Sequence, residues 1–232
     1  DLVVTGVQTC ALPISDAHSN LGNVLNGIGK LKEAELSLRK AIAIKPDFAN
    51  AHSNLGNVLR NLGQLKEAEL TLRKAIKLNP NLAIAYYNLG TTFINQGQLE
   101  EAELFLKKAI ELNPNLSIAY FSLTNLKYSD DTQKWKDQLF SDTILIIKSK
   151  KDQVDIYFAR ANILHKTKKY DESSKFLQLA NKLKLILKPS NAESLINQSK
   201  VLLIKSNKEN IKKDEIINHP QSIFIVGMPR SG

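Results

Sequence analysis

A glycine-framed turn near the C-terminus has residue types that bind phosphate. An apolar run, Ile223–Val226, is typical of a buried strand and leads directly into the stretch Gly227-Met-Pro-Arg-Ser-Gly232. Gly227 lets the chain turn off the strand, and Gly232 lets backbone N–H groups close around an anion. Arg230 supplies a fixed positive charge, and the Ser231 hydroxyl can donate a hydrogen bond. A G-x-x-x-x-G frame that follows a strand therefore predicts a phosphate-binding loop.

Asparagine side chains recur along the chain in two rows. The first row is Asn20, Asn54 and Asn88, continued by Ser122, and the second, three residues later, is Asn23, Asn57, Thr91 and Asn125. Residues three apart lie on the same helical face. Each amide offers a donor and an acceptor, so such a ladder can pair with an extended peptide backbone without reading its side chains. The alternative is that these residues only solvate a groove.

Other residue types that carry chemistry are not spaced for it. His18 and His52 occupy a position that Tyr86 and Tyr120 occupy further along, which favours packing. The remaining two histidines have no partner at metal-ligand spacing, so no metal site is expected. The glutamates fall on exposed helix faces and do not form an acid–base pair.

The elements that position these residues repeat every 34 residues. "AHSNLGNVL" begins at Ala17 and again at Ala51, "AYYNLGTTF" begins at Ala85, and "AYFSLTNLK" begins at Ala119. The landmarks recur in register: Leu21/Leu55/Leu89, Gly22/Gly56/Gly90, Gly29/Gly63/Gly97, Leu31/Leu65/Leu99, Ala34/Ala68/Ala102, Ala41/Ala75/Ala109 and Pro46/Pro80/Pro114. Such a period is the signature of a repeat architecture.

Each unit predicts two helices joined by a tight turn. In the first unit the apolar-periodic segments are roughly Asp16–Ile28 and Lys32–Ile44. Gly29 lies between them, where a turn needs positive φ, and Gly22 lets the helices approach closely. Pro46 ends the second helix because it lacks an N–H donor. Neither helix can bury its apolar stripe alone, so the units are expected to stack into a solenoid.

These repeats resemble the tetratricopeptide repeat. The resemblance covers three full copies, 15–48, 49–82 and 83–116, and implies an all-α, right-handed superhelix with the asparagine rows on its concave side. The "NLGN" strings are similar to those of O-linked N-acetylglucosamine transferases. Residues 117–204 are expected to be degenerate repeat-like helices, including a divergent repeat at Asp155–Lys184 and a helix at Ala192–Ile204.

The terminal loop resembles the 5′-phosphosulfate-binding loop of sulfotransferases. After a linker at 205–221, residues 222–232 read "SIFIVGMPRSG" and look like the truncated start of such a domain. The resemblance implies 3′-phosphoadenosine-5′-phosphosulfate as the donor, held by Gly227, Pro229, Arg230, Ser231 and Gly232. The catalytic residues would lie beyond Gly232. A kinase or ATPase loop, which continues with Lys, is the competing interpretation.

The chain's totals restrict the remaining possibilities. The formal net charge of +9 falls mostly after residue 117, and lysine-rich solvated helix faces explain it better than a nucleic-acid partner does. No apolar stretch reaches the ~20 residues that span a bilayer, so we expect a cytoplasmic protein without membrane contact. Val4–Ile14 resemble a translated sequencing adapter, and with Cys10 removed the biological chain would have no cysteine.

The sequence therefore predicts a helical repeat scaffold followed by one strand of an α/β phosphate-loop domain. The expected function is that of a peptide-binding scaffold of a sulfotransferase that uses this donor, with the fragment itself catalytically incomplete and free of cofactor. A pure scaffold, a scaffold fused to another phosphate-loop domain, and a glycosyltransferase scaffold remain alternatives. The oligomeric state is left open.

Overall fold

The computed structural model describes residues 2–126, 133–146 and 148–187, all within one compact unit, Asp1–Lys188. Within the described residues the secondary structure is entirely helical. The α-helices are α1 (Leu2–Gly27), α2 (Leu31–Ile44), α3 (Ala49–Asn61), α4 (Leu65–Leu78), α5 (Ala83–Gln96), α6 (Leu99–Leu112), α7 (Ser117–Asn125), α8 (Gln133–Phe140), α9 (Lys150–Lys166) and α10 (Tyr170–Leu187). A 3₁₀ helix, Asp142–Leu145, separates α8 from α9.

Three glycines make the turns within the helix pairs. Gly29, Gly63 and Gly97 have φ values of 81°, 79° and 79°, as the sequence predicts. At the second turn the Gln64 N–H donates to the Leu59 carbonyl at 2.9 Å, and the Gly63 N–H donates to the Arg60 carbonyl at 3.0 Å. This is a Schellman motif, which satisfies the last carbonyls of α3 and reverses the chain into α4.

A second set of glycines lets the paired helices touch. A Cβ added to Gly56 would lie 2.4 Å from Leu72 Cγ, and one added to Gly90 would lie 2.9 Å from Leu106 Cγ. Both leucines are fully buried. The predicted close approach is confirmed, and it lets the two helices of a pair pack their facing side chains against each other.

Beyond Leu116 the repeat geometry changes. α7 is shorter than the preceding first helices, and the short α8 contributes the buried Trp135 and Leu139 to the core. α9 packs directly against α7, and α10 pairs with α9. Buried Arg160 ties these elements together, because its Nε donates to the Leu139 carbonyl at 2.8 Å and its Nη2 to the Ser141 carbonyl at 3.0 Å.

The fold confirms the helical solenoid and corrects one expectation at the N-terminus. The sequence predicts the first helix at roughly Asp16–Ile28, whereas α1 begins at Leu2 and runs through residues 4–14. An established helix extends by one backbone hydrogen bond per residue and needs no apolar face to do so. The predicted Ile223–Val226 strand, the 205–221 linker and the Ala192–Ile204 helix lie outside the described residues. Among the described helices, none combines the length and the hydropathy of a membrane span.

Candidate functional site

The first helices of successive units line up side by side. α1 contacts α3, α3 contacts α5, and α7 contacts α9. They present a row of polar side chains that we call the polar inner surface: Asn54, Asn57, Arg60, Tyr87, Ser122, Asn125, Asp155 and Asn162. Hydrogen bonds join Arg60 to Asn57 and Asn162 to Asn125, and the charges of Arg60 and Asp155 both act on Tyr87.

The first predicted asparagine row joins neighbouring helices. Asn88 is only 4% exposed, and its Nδ2 donates to Ser53 Oγ at 3.2 Å. Asn54 Nδ2 donates to Ser19 Oγ at 3.4 Å in the unit before. Asn20, which has no unit before it among the described residues, is exposed. Part of this row therefore stabilises the stacking of one first helix on the next.

The second row is more accessible to a ligand. Asn23 and Asn125 are exposed, and Asn57 is half-buried. Thr91 is buried and donates to the Asn88 carbonyl at 2.8 Å. The row has a member that the sequence analysis missed, because Asn162 Nδ2 donates to Asn125 Oδ1 at 2.8 Å.

The spacing explains why Asn162 was missed. It follows Asn125 by 37 residues, whereas the earlier members are 34 residues apart. A usable signal was present, since each member of the row directly follows the small or short residue of its first helix, as in Gly56-Asn57, Thr124-Asn125 and Ala161-Asn162.

Arg60 provides the positive charge of the polar inner surface. Its Nη2 donates to Asn57 Oδ1 at 2.6 Å and to Asn61 Oδ1 at 3.2 Å. Its Nε is buried and has no hydrogen-bond partner in the structure. Within the described residues no carboxylate forms an ion pair with it. Burial lowers the pKa of this guanidinium, so Arg60 is a partly desolvated cation with unused donors.

Tyr87, Ser122 and Asp155 continue the surface away from Arg60. Burial raises the pKa of the Tyr87 phenol, while a hydrogen bond with Ser122 and the charge of Arg60 act in the opposite direction. Burial also raises the pKa of Asp155 to about 6, against the lowering effect of Lys151. The surface thus carries a cation at one end and a carboxyl group that titrates near neutrality at the other.

Aromatic side chains lie beside the polar residues. The Phe121 and Phe158 rings are 5.9 Å apart, and the Lys184 ammonium lies 5.9 Å from the centre of the Phe158 ring. Trp135, by contrast, is 5% exposed and belongs to the core. His52 is also buried, and its Nε2 lies 2.9 Å from the Pro46 carbonyl oxygen.

The structure does not describe the residues of the predicted phosphate-binding loop. Gly227, Pro229, Arg230, Ser231 and Gly232 lie outside the described residues. The part of the chain that the structure describes contains no group of three or more His, Cys, Asp or Glu side chains able to hold a metal ion.

Family models match along most of the helical region. A TPR repeat model matches residues 22–63 and again 56–97, a tetratricopeptide repeat model matches residues 83–116, and a further one matches residues 154–185. Together these ranges cover more than half of the chain. It is a tetratricopeptide repeat protein. No curated protein sequence matches this tetratricopeptide repeat protein significantly.

The solved structures similar to this chain include two tetratricopeptide domains and one transferase. The first domain of Spaghetti (RPAP3), bound to the HSP90 peptide SRMEEVD, is 25% identical, has a TM-score of 0.46 and covers 49% of this chain and 90% of that chain. A mutant of the Thermobaculum terrenum O-GlcNAc transferase is 20% identical, with a TM-score of 0.49 and coverage of 67% and 26%. The Arabidopsis OM64 domain is 20% identical, with a TM-score of 0.46 and coverage of 50% and 98%.

Proposed function

We propose that this tetratricopeptide repeat protein is an interaction scaffold whose polar inner surface binds an extended peptide carrying an acidic side chain. The observation that supports this most directly is Arg60, whose buried Nε has no acceptor and whose guanidinium has no carboxylate partner among the described residues. Because burial partly desolvates this guanidinium, a ligand carboxylate that reaches its accessible edge would form a charge-assisted hydrogen bond with it.

The neighbouring side chains supply the rest of the recognition. Asn57, Asn125 and Asn162 offer amide groups that can pair with a peptide backbone without reading its sequence. Phe121 and Phe158 offer an apolar contact next to them. An acidic ligand side chain is expected near Arg60 and away from Asp155, since two ionised carboxylates would repel each other.

Selection from a random peptide library, followed by anisotropy titration of the best binder, tests the proposal. Acidic residues should be enriched among the selected peptides. Arg60→Gln should weaken binding at least about tenfold, which corresponds to ~1.4 kcal/mol. The matched control is Lys32→Gln on α2, whose ammonium group is exposed and already paired with Glu35, and which lies on neither proposed binding surface. Selected peptides that bind wild type and Arg60→Gln equally well would exclude the proposed site.

The asparagine ladder needs a separate test. A double Asn125→Ala/Asn162→Ala substitution removes two exposed or half-buried amides and should weaken the same peptide with little change in stability. An Asn54→Ala/Asn88→Ala double variant should also destabilise the fold, because Asn88 holds Ser53 across two helices. Unchanged peptide affinity in both double variants would contradict a role of the ladder in binding.

A second candidate rests on the sequence of residues 222–232 alone. The "FIVGMPRSG" stretch favours a scaffold joined to a sulfotransferase domain that uses 3′-phosphoadenosine-5′-phosphosulfate. Adenosine 3′,5′-bisphosphate should bind a gene product extended beyond Gly232, and Arg230→Ala should abolish that binding. A Lys codon directly after Gly232 would favour a kinase or ATPase domain instead.

Resequencing the 5′ end of the gene tests the adapter origin of residues 4–14.

A further inference from the structure

A cleft opens on the second helices, away from the polar inner surface. It has a volume of about 430 Å³ and lies between α2 and α4, with α3 contributing the buried His52 and Leu55. Ile42 of α2 and Thr71 of α4 line it from either side, and Arg39 and Lys74 supply cations. We call it the Thr71 cleft. It shares no residue with the polar inner surface.

The 34-residue period allows the cleft to be compared with the same place one unit later. Thr71 corresponds to Phe105, His52 to Tyr86, and Arg39 to Arg73. In that unit the Phe105 ring packs 6.1 Å from the Tyr86 ring and 5.4 Å from the Phe93 ring, measured between centroids. The Arg73 guanidinium lies 5.9 Å from the centre of the Phe105 ring. The equivalent framework therefore holds an aromatic ring supplied by the chain itself.

Around Thr71 the equivalents of Tyr86 and Phe93 are His52 and Leu59, and the small Thr71 leaves the position of the ring itself open. Arg39 is held at the edge of the cleft by Glu35 at 2.9 Å and by Glu67 at 2.6 Å. Leu70, which is 69% exposed, forms an apolar wall. Lys74 forms no ion pair with any described residue. The cleft thus combines an apolar interior, a guanidinium at its edge and one unpaired ammonium group.

We propose that the Thr71 cleft binds the phenylalanine or tyrosine side chain of a partner peptide that carries a carboxylate beside it. The ring takes the place that Phe105 takes one unit later, in contact with Leu55 and Ile42 and next to the Arg39 guanidinium. The adjacent carboxylate pairs with Lys74. This surface is independent of the peptide proposed for the polar inner surface, and a single partner chain need not reach both.

Titration with N-acetyl-Phe-Asp amide, followed by methyl NMR, tests the cleft. The Ile42, Leu55 and Leu70 methyl resonances should shift in a saturable way with a dissociation constant of about a millimolar, as befits a fragment of this size. N-acetyl-Ala-Asp amide should bind at least about tenfold more weakly. Equal shifts with both probes would show that Lys74 alone attracts the probe, and no saturable shift in wild type would also overturn the proposal.

Variants at the two equivalent positions make the test specific. Thr71→Phe should fill the cleft with the chain's own ring, abolish the shifts and leave the melting temperature unchanged or higher. The matched control Thr71→Val keeps the side-chain shape and should bind the probe within about twofold of wild type. Phe105→Thr should open a second cleft and add shifts at Leu89. A Thr71→Phe variant that folds and still binds like wild type would exclude this site.

Discussion

Asp155 places a carboxyl group with a raised pKa on the polar inner surface. Its carboxyl group is partly desolvated on α9, and burial raises its pKa to about 6 from an ordinary value of 3.8. Lys151 lowers that pKa and Asp152 raises it, both by smaller amounts. The charge of Asp155 in turn raises the pKa of Tyr87. A change in the charge of Asp155 therefore alters the pKa of Tyr87 on α5.

The raised pKa of Asp155 predicts a stability that falls as pH rises. Between about pH 4 and pH 6 the folded state binds this proton more tightly than the unfolded state, so the free energy of unfolding decreases through that window. Asp155→Asn should remove this contribution and stabilise the protein at pH 7.5 by on the order of 1 kcal/mol, after allowance for solvent screening. Urea unfolding of wild type and variant at pH 4.5 and 7.5 measures the difference.

The control for this experiment is Asp47→Asn, which replaces an exposed carboxylate between α2 and α3. It should leave the pH dependence of unfolding close to that of wild type. If Asp155→Asn and wild type lose stability in parallel between pH 4.5 and 7.5, the carboxyl group of Asp155 is not desolvated in the folded protein.

Single residues also show what the sequence could predict. The roles of Gly56 and Gly63 follow from their positions, because a small residue within a helix pair and a glycine between its helices each have one steric explanation. The hydrogen bond from Asn88 to Ser53 could not be predicted. The two residues are 35 positions apart in the chain, and the bond depends on how closely their helices pack. Local sterics are encoded residue by residue, whereas contacts between units are not.

At the scale of elements, identical sequences have different surroundings. "AHSNLGNVL" occurs in α1 and in α3, yet Leu21 is 50% exposed and Leu55 is 4% exposed. Likewise Val24 is 61% exposed and Val58 is 1% exposed. The cause is α2, which covers the face of α3, whereas no described helix covers the same face of α1.

This pair predicts a large difference between two equivalent substitutions. Leu55→Ala removes a buried side chain and should lower the free energy of unfolding by about 3 kcal/mol. Leu21→Ala should lower it by less than about 1 kcal/mol, because half of the side chain is already in water and alanine favours helix. Urea unfolding monitored by circular dichroism at 222 nm gives both values. Equal losses would mean that the outer face of α1 is covered in solution.

Arg160 predicts a second contrast between two arginines. Arg160→Ala leaves the carbonyl groups of Leu139 and Ser141 without their donors and removes the cation from between the Phe140 and Phe176 rings. We expect a loss of about 2–4 kcal/mol in the free energy of unfolding. Arg39→Ala, which breaks exposed ion pairs, should cost below about 1 kcal/mol. Similar losses for both variants would contradict a structural role of Arg160.

The elements that break the period were the hardest to predict. α2 to α6 follow their predicted segments because each carries the same small and apolar landmarks. The region of α8 and the 3₁₀ helix lacks those landmarks, and there Trp135 and Ile144 fill the core instead. Trp135 and Ile144 are buried because they cover apolar surface that the neighbouring helices leave exposed. The local sequence pattern does not contain that information. The same shift in spacing displaced Asn162 from the row that the sequence analysis defined.

At the scale of the whole helical unit, the stability of each repeat depends on the repeats that it contacts. Each unit in a repeat array gains stability mainly from the units that it contacts. α5, α6, α7 and α9 share one buried cluster that includes Leu89, Phe93, Leu106 and Tyr120. The terminal helices have outer faces that no described helix covers, with Val24 at 61% exposed on α1 and Leu185 at 56% exposed on α10.

This arrangement predicts a gradient of hydrogen exchange along the array. Backbone amides in α5 and α6 should exchange at least about tenfold more slowly than those in the C-terminal half of α1 and in α10, because the terminal helices can open without breaking the shared cluster. Mass-spectrometric exchange on the intact chain measures this directly. Leu106→Ala, within the cluster, should speed exchange in α5 to α7 together, whereas Leu21→Ala should affect α1 alone. Uniform protection from α1 to α10 would instead show that the units open as a single cooperative body.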